Sequence, residues 1–296
     1  MGIKNCLKLA LVVSVGVMPA VGAEVVGYRG YKNYKSYRDY KSYRDYKSYR
    51  GYRGYRGVVK TAPLSSWTLY TYTLKLNYRE FDSNSRVLDR DYSQWGELNG
   101  VGIRYSDPLF YFFGEVARGQ DHYEGATWSG DPLSNTQRGV YLWEIEGGIR
   151  EPTTGIIVGL GYRVWNRGNS GTPGDYDEIY YWSYLNFGYS YSLKGRKWEF
   201  SPSISYQKAF APRMKAYLGN NPEFDLRRVT GVRIELPFNY YLGPQIGLYA
   251  GYKLEMWNVE GSGPTTTIIN GKNYTLYEPP SRSITQNLTV GITIRF

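Results

Sequence analysis

Asn287–Phe296 reads NLTVGITIRF. Leu288, Val290, Ile292, Ile294 and Phe296 take every second position, and polar or small residues take the positions between. Successive side chains of a strand point to opposite faces, so this period of two predicts a strand with one apolar and one polar face. Chain ends ordinarily fray into polar tails. A terminal segment patterned up to its last residue is expected to be paired along its whole length.

The same period runs upstream. Ten strands are expected, over 66–79, 97–106, 108–119, 138–150, 154–167, 178–193, 196–208, 227–241, 244–258 and 283–296. No stretch carries convincing helical periodicity, and no apolar run reaches the ~18 residues of a spanning helix. The connections sort by length. Asp107, Glu151–Thr153, Lys194–Gly195 and Leu242–Gly243 mark tight turns, whereas Glu80–Gly96, Gln120–Gln137, Gly168–Asp177, Ala209–Leu226 and Val259–Arg282 are long. Short and long alternate strictly, which places all turns at one end and all long loops at the other. That asymmetry predicts an all-β fold, a transmembrane antiparallel up-and-down β-barrel of about ten strands with short periplasmic turns and long external loops. Closure removes the exposed edges of the sheet, with the strand at 283–296 meeting the first. The 33 Tyr and 8 Trp suit aromatic girdles at two membrane interfaces.

The beginning of the chain supplies the route. Lys4 and Lys8 precede an apolar run from Leu9 to Met18, and Val21-Gly22-Ala23 offers a small-residue cleavage site. This is the layout of a secretory signal peptide over residues 1–23, and the run is too short for a retained anchor. Export to the outer membrane of a Gram-negative-type cell is the expected localisation. The sole cysteine, Cys6, lies in that segment, so the mature chain is expected to hold no disulfide and no cysteine metal site.

Residues 24–64 form a second region, and 65–296 the barrel. Tyr28–Gly57 is ten triplets of Tyr, a cation and a small or polar residue. Its ten Lys/Arg against two Asp make +8 of the chain's +10. With no aliphatic residue it cannot bury a core, so a disordered or extended periplasmic tail is expected. Stacked Tyr and cations suit anionic polymers. In the periplasm that points to cell-wall polymer or the phosphates of the inner leaflet, with peptidoglycan the expected partner, and away from nucleic acid; a spacer expanded by repetition is the alternative.

With the apolar faces turned to lipid, the lumen is expected to receive Lys75, Arg104, Arg163, Arg233, Lys253 and Arg295. The same face carries Glu115, Glu144, Glu146, Glu199, Glu235 and Glu255. An interior of about ten strands is only slightly wider than the filled eight-stranded case. Matched long side chains are therefore expected to fill it as a hydrogen-bonded ionic network, against the alternative of a narrow channel.

The ten-stranded plan and the phrase WEIEGGIREPTTGIIVGLGYRVWN (Trp143–Asn166) resemble the omptins, outer-membrane proteases. The resemblance covers residues 65–296 at the level of topology. It implies an Asp pair on one cleft wall and an Asp–His pair on the other. The one histidine, His122, lies in QDHYEG, and the fourth long loop offers Asp225 and Glu223 without a histidine. No catalytic residue is carried over. Asp121 and His122 are expected to point apart as strand neighbours. The C-terminal aromatic residue after alternating apolar positions also resembles the signal by which outer-membrane proteins are recognised by their assembly machinery.

LDRDY (Leu88–Tyr92) and GDYDE (Gly174–Glu178) gather carboxylates on external loops, without the spacing of a calcium site. No metal or cofactor residue is assigned. The expected function is that of a non-enzymatic outer-membrane barrel with a structural or surface-binding role and a basic periplasmic tether, among lipid and lipopolysaccharide. A small porin is the alternative, and an omptin-like protease or lipid-modifying enzyme the second.

Overall fold

The computed structural model describes residues 65–126, 130–172 and 175–296. The signal-like segment and the triplet repeat therefore lie outside the described residues. In chain order the strands are β1 (Ser66–Phe81), β2 (Val87–Tyr92), β3 (Leu98–Ser106), β4 (Phe110–Ala126), β5 (Pro132–Arg150) and β6 (Ile156–Asn166). Then follow β7 (Glu178–Ser190), β8 (Leu193–Lys194), β9 (Trp198–Phe200), β10 (Ser203–Ala216) and β11 (Glu223–Asp225). The last are β12 (Val229–Tyr241), β13 (Ile246–Val259), β14 (Thr265–Ile269), β15 (Lys272–Leu276) and β16 (Ser281–Arg295).

Ten of these, β1, β3, β4, β5, β6, β7, β10, β12, β13 and β16, pair antiparallel with their neighbours into one closed barrel. The last strand pairs with the first from Ser66↔Arg295 to Glu80↔Ser281. Leu288, Val290, Ile292, Ile294 and Phe296 are all exposed on the outer face of this seam. The period of two in NLTVGITIRF thus reads directly as outside against inside.

Two strands run further than their sequence suggested. β4 and β5 continue past the expected loop at 120–137 into a projecting hairpin, paired out to Ala126↔Pro132. The seventh stave was expected over 196–208 and instead spans 203–216. Pro212 there looks like a breaker, but a register shift between Phe210 and Arg213 and a positive φ of 49° at Ala211 absorb it. The residues before it, β8 and β9, form a small hairpin on the turn end. On the loop end, β2 doubles back on β1 and β14 pairs with β15.

Tight turns use local side-chain acceptors. The Asp107 carboxylate accepts from the amides of Leu109 and Phe110 at 2.8 and 2.6 Å, and Glu151 accepts from Thr153 and Thr154.

The outer face divides by height. Near the turn end it is apolar: Leu69, Leu160, Phe187 and Val290 are 58–67% exposed. Aromatic pairs such as Trp67–Tyr105, Trp198–Phe238 and Trp143–Tyr162 lie on the same face. Leu288 to Phe296 spans about 27 Å of strand, or about 21 Å of height at a ~40° tilt, close to the ~25 Å apolar band of such barrels. Nearer the loop end the outer face turns polar, with Thr73, Lys75, Asn77 and Arg79 on β1.

Candidate functional site: the barrel interior

The interior is stacked in four zones from the turn end to the loop end. The first is a polar vestibule, whose wall includes Thr68, Ser190, Ser203, Ser205, Asn186 and Asn239. Arg104, Arg150, Glu199 and Glu235 stand among them. Arg104 pairs with Glu235 at 2.7 Å, and Arg295 with Glu199 at 3.0 Å.

Above it lies the central ionic network. The Arg233 guanidinium donates from Nη1 to Glu146 at 2.6 Å, from Nε to Glu255 at 2.9 Å, and from Nη2 to Glu144. Arg163 bridges Glu144 at 3.1 Å and Glu255, while Lys253 holds Glu115. Three cations thus meet four carboxylates. The surplus acceptors are met by neutral donors: Tyr111 and Asn186 each reach Glu146 at 2.7 Å, and Tyr70 reaches Glu115 at 3.2 Å. The Tyr184 hydroxyl sits between Glu144 and Glu146. Phe113 lends its ring to Arg104, Arg233 and Lys253, with cations 5.2–5.7 Å from its centroid. Such a network repays the desolvation of its charges only when nearly every polar atom is bonded, as here.

Glycines make this packing feasible. A Cβ on Gly161 would come within 2.2 Å of the ring of Tyr184, its cross-strand partner, and one on Gly102 within 2.3 Å of Tyr70. Each tyrosine lies flat over a glycine of the next strand, which aims its hydroxyl at the carboxylates.

The third zone is apolar. Trp165 stacks on Tyr180 at 5.2 Å, and Trp257 packs against Trp182 at 5.1 Å and Tyr184 at 5.5 Å. Leu74, Leu76, Leu98, Val140, Leu142 and Met214 fill the space around them.

The fourth zone closes the loop end around Arg167. Its Nε donates to Asp91 at 2.6 Å and its Nη1 to Glu80 at 2.7 Å and Glu178 at 2.5 Å; Asp89 lies 3.7 Å from Nη2. The guanidinium lies 4.7 Å over the Tyr78 ring. Tyr180 donates to Glu278 in the loop before β16. Burial pushes the Glu278 carboxyl up to about 8, with the charge of Glu178 adding to it. Asp91, in the external β2, is raised to about 6 because its burial outweighs the pull of Arg167. Asp121 is fully buried, and neither of its carboxylate oxygens has a partner.

The expected lumen residues Arg104, Glu115, Glu144, Glu146, Arg163, Glu199, Arg233, Glu235, Lys253, Glu255 and Arg295 all line or fill the interior. Lys75 does not. It sits between Leu74 and Leu76, both 2% exposed, so its own side chain faces outward. Taking every apolar residue as lipid-facing misplaces it, because the even-numbered residues of β1 face inward along the whole strand, and toward the loop end these are the leucines. Arg167 escaped the sequence reading although it continues the inward parity of Arg163 and Trp165. It is the last residue of the strand expected over 154–167, and the observed β6 ends one residue before it, at Asn166.

His122 lies on the opposite face of β4 from Asp121. Its Nε2 is 2.8 Å from Glu97, and its ring packs against Tyr92. Asp225 and Glu223 are exposed on β11 and pair with Arg213 at 3.3 and 2.8 Å. The structure brings neither the histidine nor these carboxylates to the acid cluster. Asp175 and Asp177 are taken up within their own loop by Ser170 and Asn169. Among the described residues no group of His, Cys, Asp and Glu has the geometry to hold a metal ion.

No protein-family model matches the chain. No curated protein matches it either. Among solved structures it is similar to the outer membrane protease OmpT from Escherichia coli, at 12% identity and a TM-score of 0.49, over 80% of this chain and 98% of that one. It is also similar to Neisserial surface protein A, at 10% identity and a TM-score of 0.34, over 78% and 97%. An outer membrane channel from Pseudomonas putida F1 follows, at 11% identity and 0.33, over 80% and 96%. The closed ten-stranded barrel rests on the strand pairing itself.

Proposed function

We propose that this chain is an outer-membrane barrel with a sealed interior, which serves a structural or surface-binding role and carries a basic periplasmic tether at residues 28–57. One observation carries the sealed interior: Glu144, Glu255, Tyr184, Trp257 and Val229, from four strands, are each 0% exposed inside the barrel. Ionic and aromatic zones stacked in series leave a small solute no continuous polar route. The apolar outer band supports insertion in a membrane. Above it, exposed Arg79, Arg118 and Arg282 suit the phosphates of lipopolysaccharide. Recognition by the assembly machinery is supported by the apolar parity of Leu288–Phe296.

The sealed interior is tested in planar lipid bilayers. Refolded full-length protein is expected to insert without stepwise conductance; discrete steps would reject the reading in favour of a small porin. The omptin-like enzyme draws no support from His122, which faces Glu97 on the outer side. The tether has its own test in sedimentation with purified sacculi. Deletion of 28–57 is expected to abolish co-sedimentation, and equal binding with and without the repeat would remove peptidoglycan as the partner.

A further inference from the structure

The vestibule at the turn end contains a cation that the rest of the interior does not use. Arg104 and Arg295 are committed to Glu235 and Glu199. The third carboxylate of the wall, Glu146, is held by Arg233 from the network above. Arg150, at the end of β5, points into the same space. Among the described residues its guanidinium has no ion pair, and its Nε is buried without an acceptor. The Nε of Arg104 is likewise buried and unmet. Donors left in this state in a half-enclosed site lack the acceptor that their burial calls for.

The neighbours share one character. Ser190, Ser203 and Ser205 present short hydroxyls from the adjoining strands, and Asn186 and Asn239 add amides. Hydroxyl and amide groups donate to a negative oxygen at little steric cost, and a guanidinium presents a planar fork of N–H groups that matches paired oxygens. The floor toward the barrel centre is closed by Glu146 and Arg233, 2.6 Å apart. A ligand reaching Arg150 therefore meets excess positive charge at the rim and a sealed wall behind it.

From this we infer that the turn-end vestibule is a binding site for a small oxyanion, gripped by Arg150 with the Nε of Arg104 behind it and the serine hydroxyls around it. The site rests on the sealed-interior reading only for the direction of entry, which is the turn side. Carboxylate and phosphate share the required chemistry. A free peptide carboxyl terminus and inorganic phosphate are the two sources to separate.

The experiment is isothermal titration of the full-length protein in an uncharged detergent with three probes: inorganic phosphate, N-acetyl-alanyl-alanine and the amide of that dipeptide. One saturable site for phosphate or for the free-carboxyl dipeptide is expected, with none for the amide. Binding of only one of the two anions assigns the source. Arg150→Gln is expected to weaken that site at least tenfold, leaving the shallow, salt-sensitive heats of the basic repeat. Ser203→Leu, which fills the vestibule while keeping Arg150, is expected to do the same and serves if Arg150→Gln does not refold. Absence of a saturable site, or equal affinity in the variant, would overturn the inference. Conductance in bilayers would instead overturn only the direction of entry.

Discussion

Arg233 shows how individual side chains hold the interior. It contacts Glu144, Glu146 and Glu255 at once, and it is 2% exposed. Removing one partner of a buried ionic group leaves the others charged and uncompensated, at about 3–5 kcal/mol. Arg233→Met is accordingly expected to lower stability by about that amount in denaturant titrations followed by tryptophan fluorescence. Arg233→Met combined with Glu146→Gln is expected to lose less than the single variant, because the second change withdraws one of the stranded charges. A single variant as stable as the parent would show that the network is not what binds the strands together. At this scale the sequence was informative where parity alone decides: Glu144 and Glu146 flank Ile145, and both carboxylates turn inward as alternation requires. Lys75 obeys the same alternation but with the faces exchanged, which no local pattern reveals.

Elements at the loop end behave differently from the staves. The segment Val259–Ser281 carries the β14–β15 hairpin and places Glu278 under Tyr180, beside the Arg167 cluster. Because the folded carboxyl of Glu278 is raised from its ordinary 4.5 to about 8, the folded state holds that proton more tightly than the unfolded chain. Its stabilising contribution is complete below about 4.5 and is lost as pH rises through about 8. Asp91, raised to about 6, acts in the same direction earlier in the climb. Amide hydrogen exchange across 260–280 is expected to be slowest near pH 5 and to quicken toward pH 9, after correction for intrinsic rates. Glu278→Gln should flatten most of that dependence; an unchanged profile in the variant would assign the titration elsewhere. Strand existence was legible from period and turn residues, whereas strand ends were not. β10 runs through Pro212 because its bulge is set by pairing with β7, a partner distant in sequence.

The whole barrel lives in two solvents. Near the turn end its outer residues face lipid and its inner ones form ion pairs; nearer the loop end the apolar residues face inward and the polar ones outward. A cation added to the outside should therefore cost according to height. Leu160→Arg, in the apolar band, is expected to destabilise the bilayer-inserted protein by about 2–4 kcal/mol, and Thr73→Arg, above it, by about 0–1 kcal/mol. Equal costs in denaturant titrations from liposomes would place the membrane elsewhere on the barrel.

Periodicity and loop order were enough to define a ten-stranded closed sheet, because a period of two and an alternation of short and long connections are local properties of the chain. Period two separates the faces of a strand without saying which one is inside. That choice depends on what lies beyond the wall, and the surrounding medium changes from hydrocarbon to water along a single strand. Only the assembled barrel sets where that change falls, turning Leu74 and Leu76 inward, Lys75 outward, and gathering around Arg167 carboxylates from strands and loops far apart in the sequence.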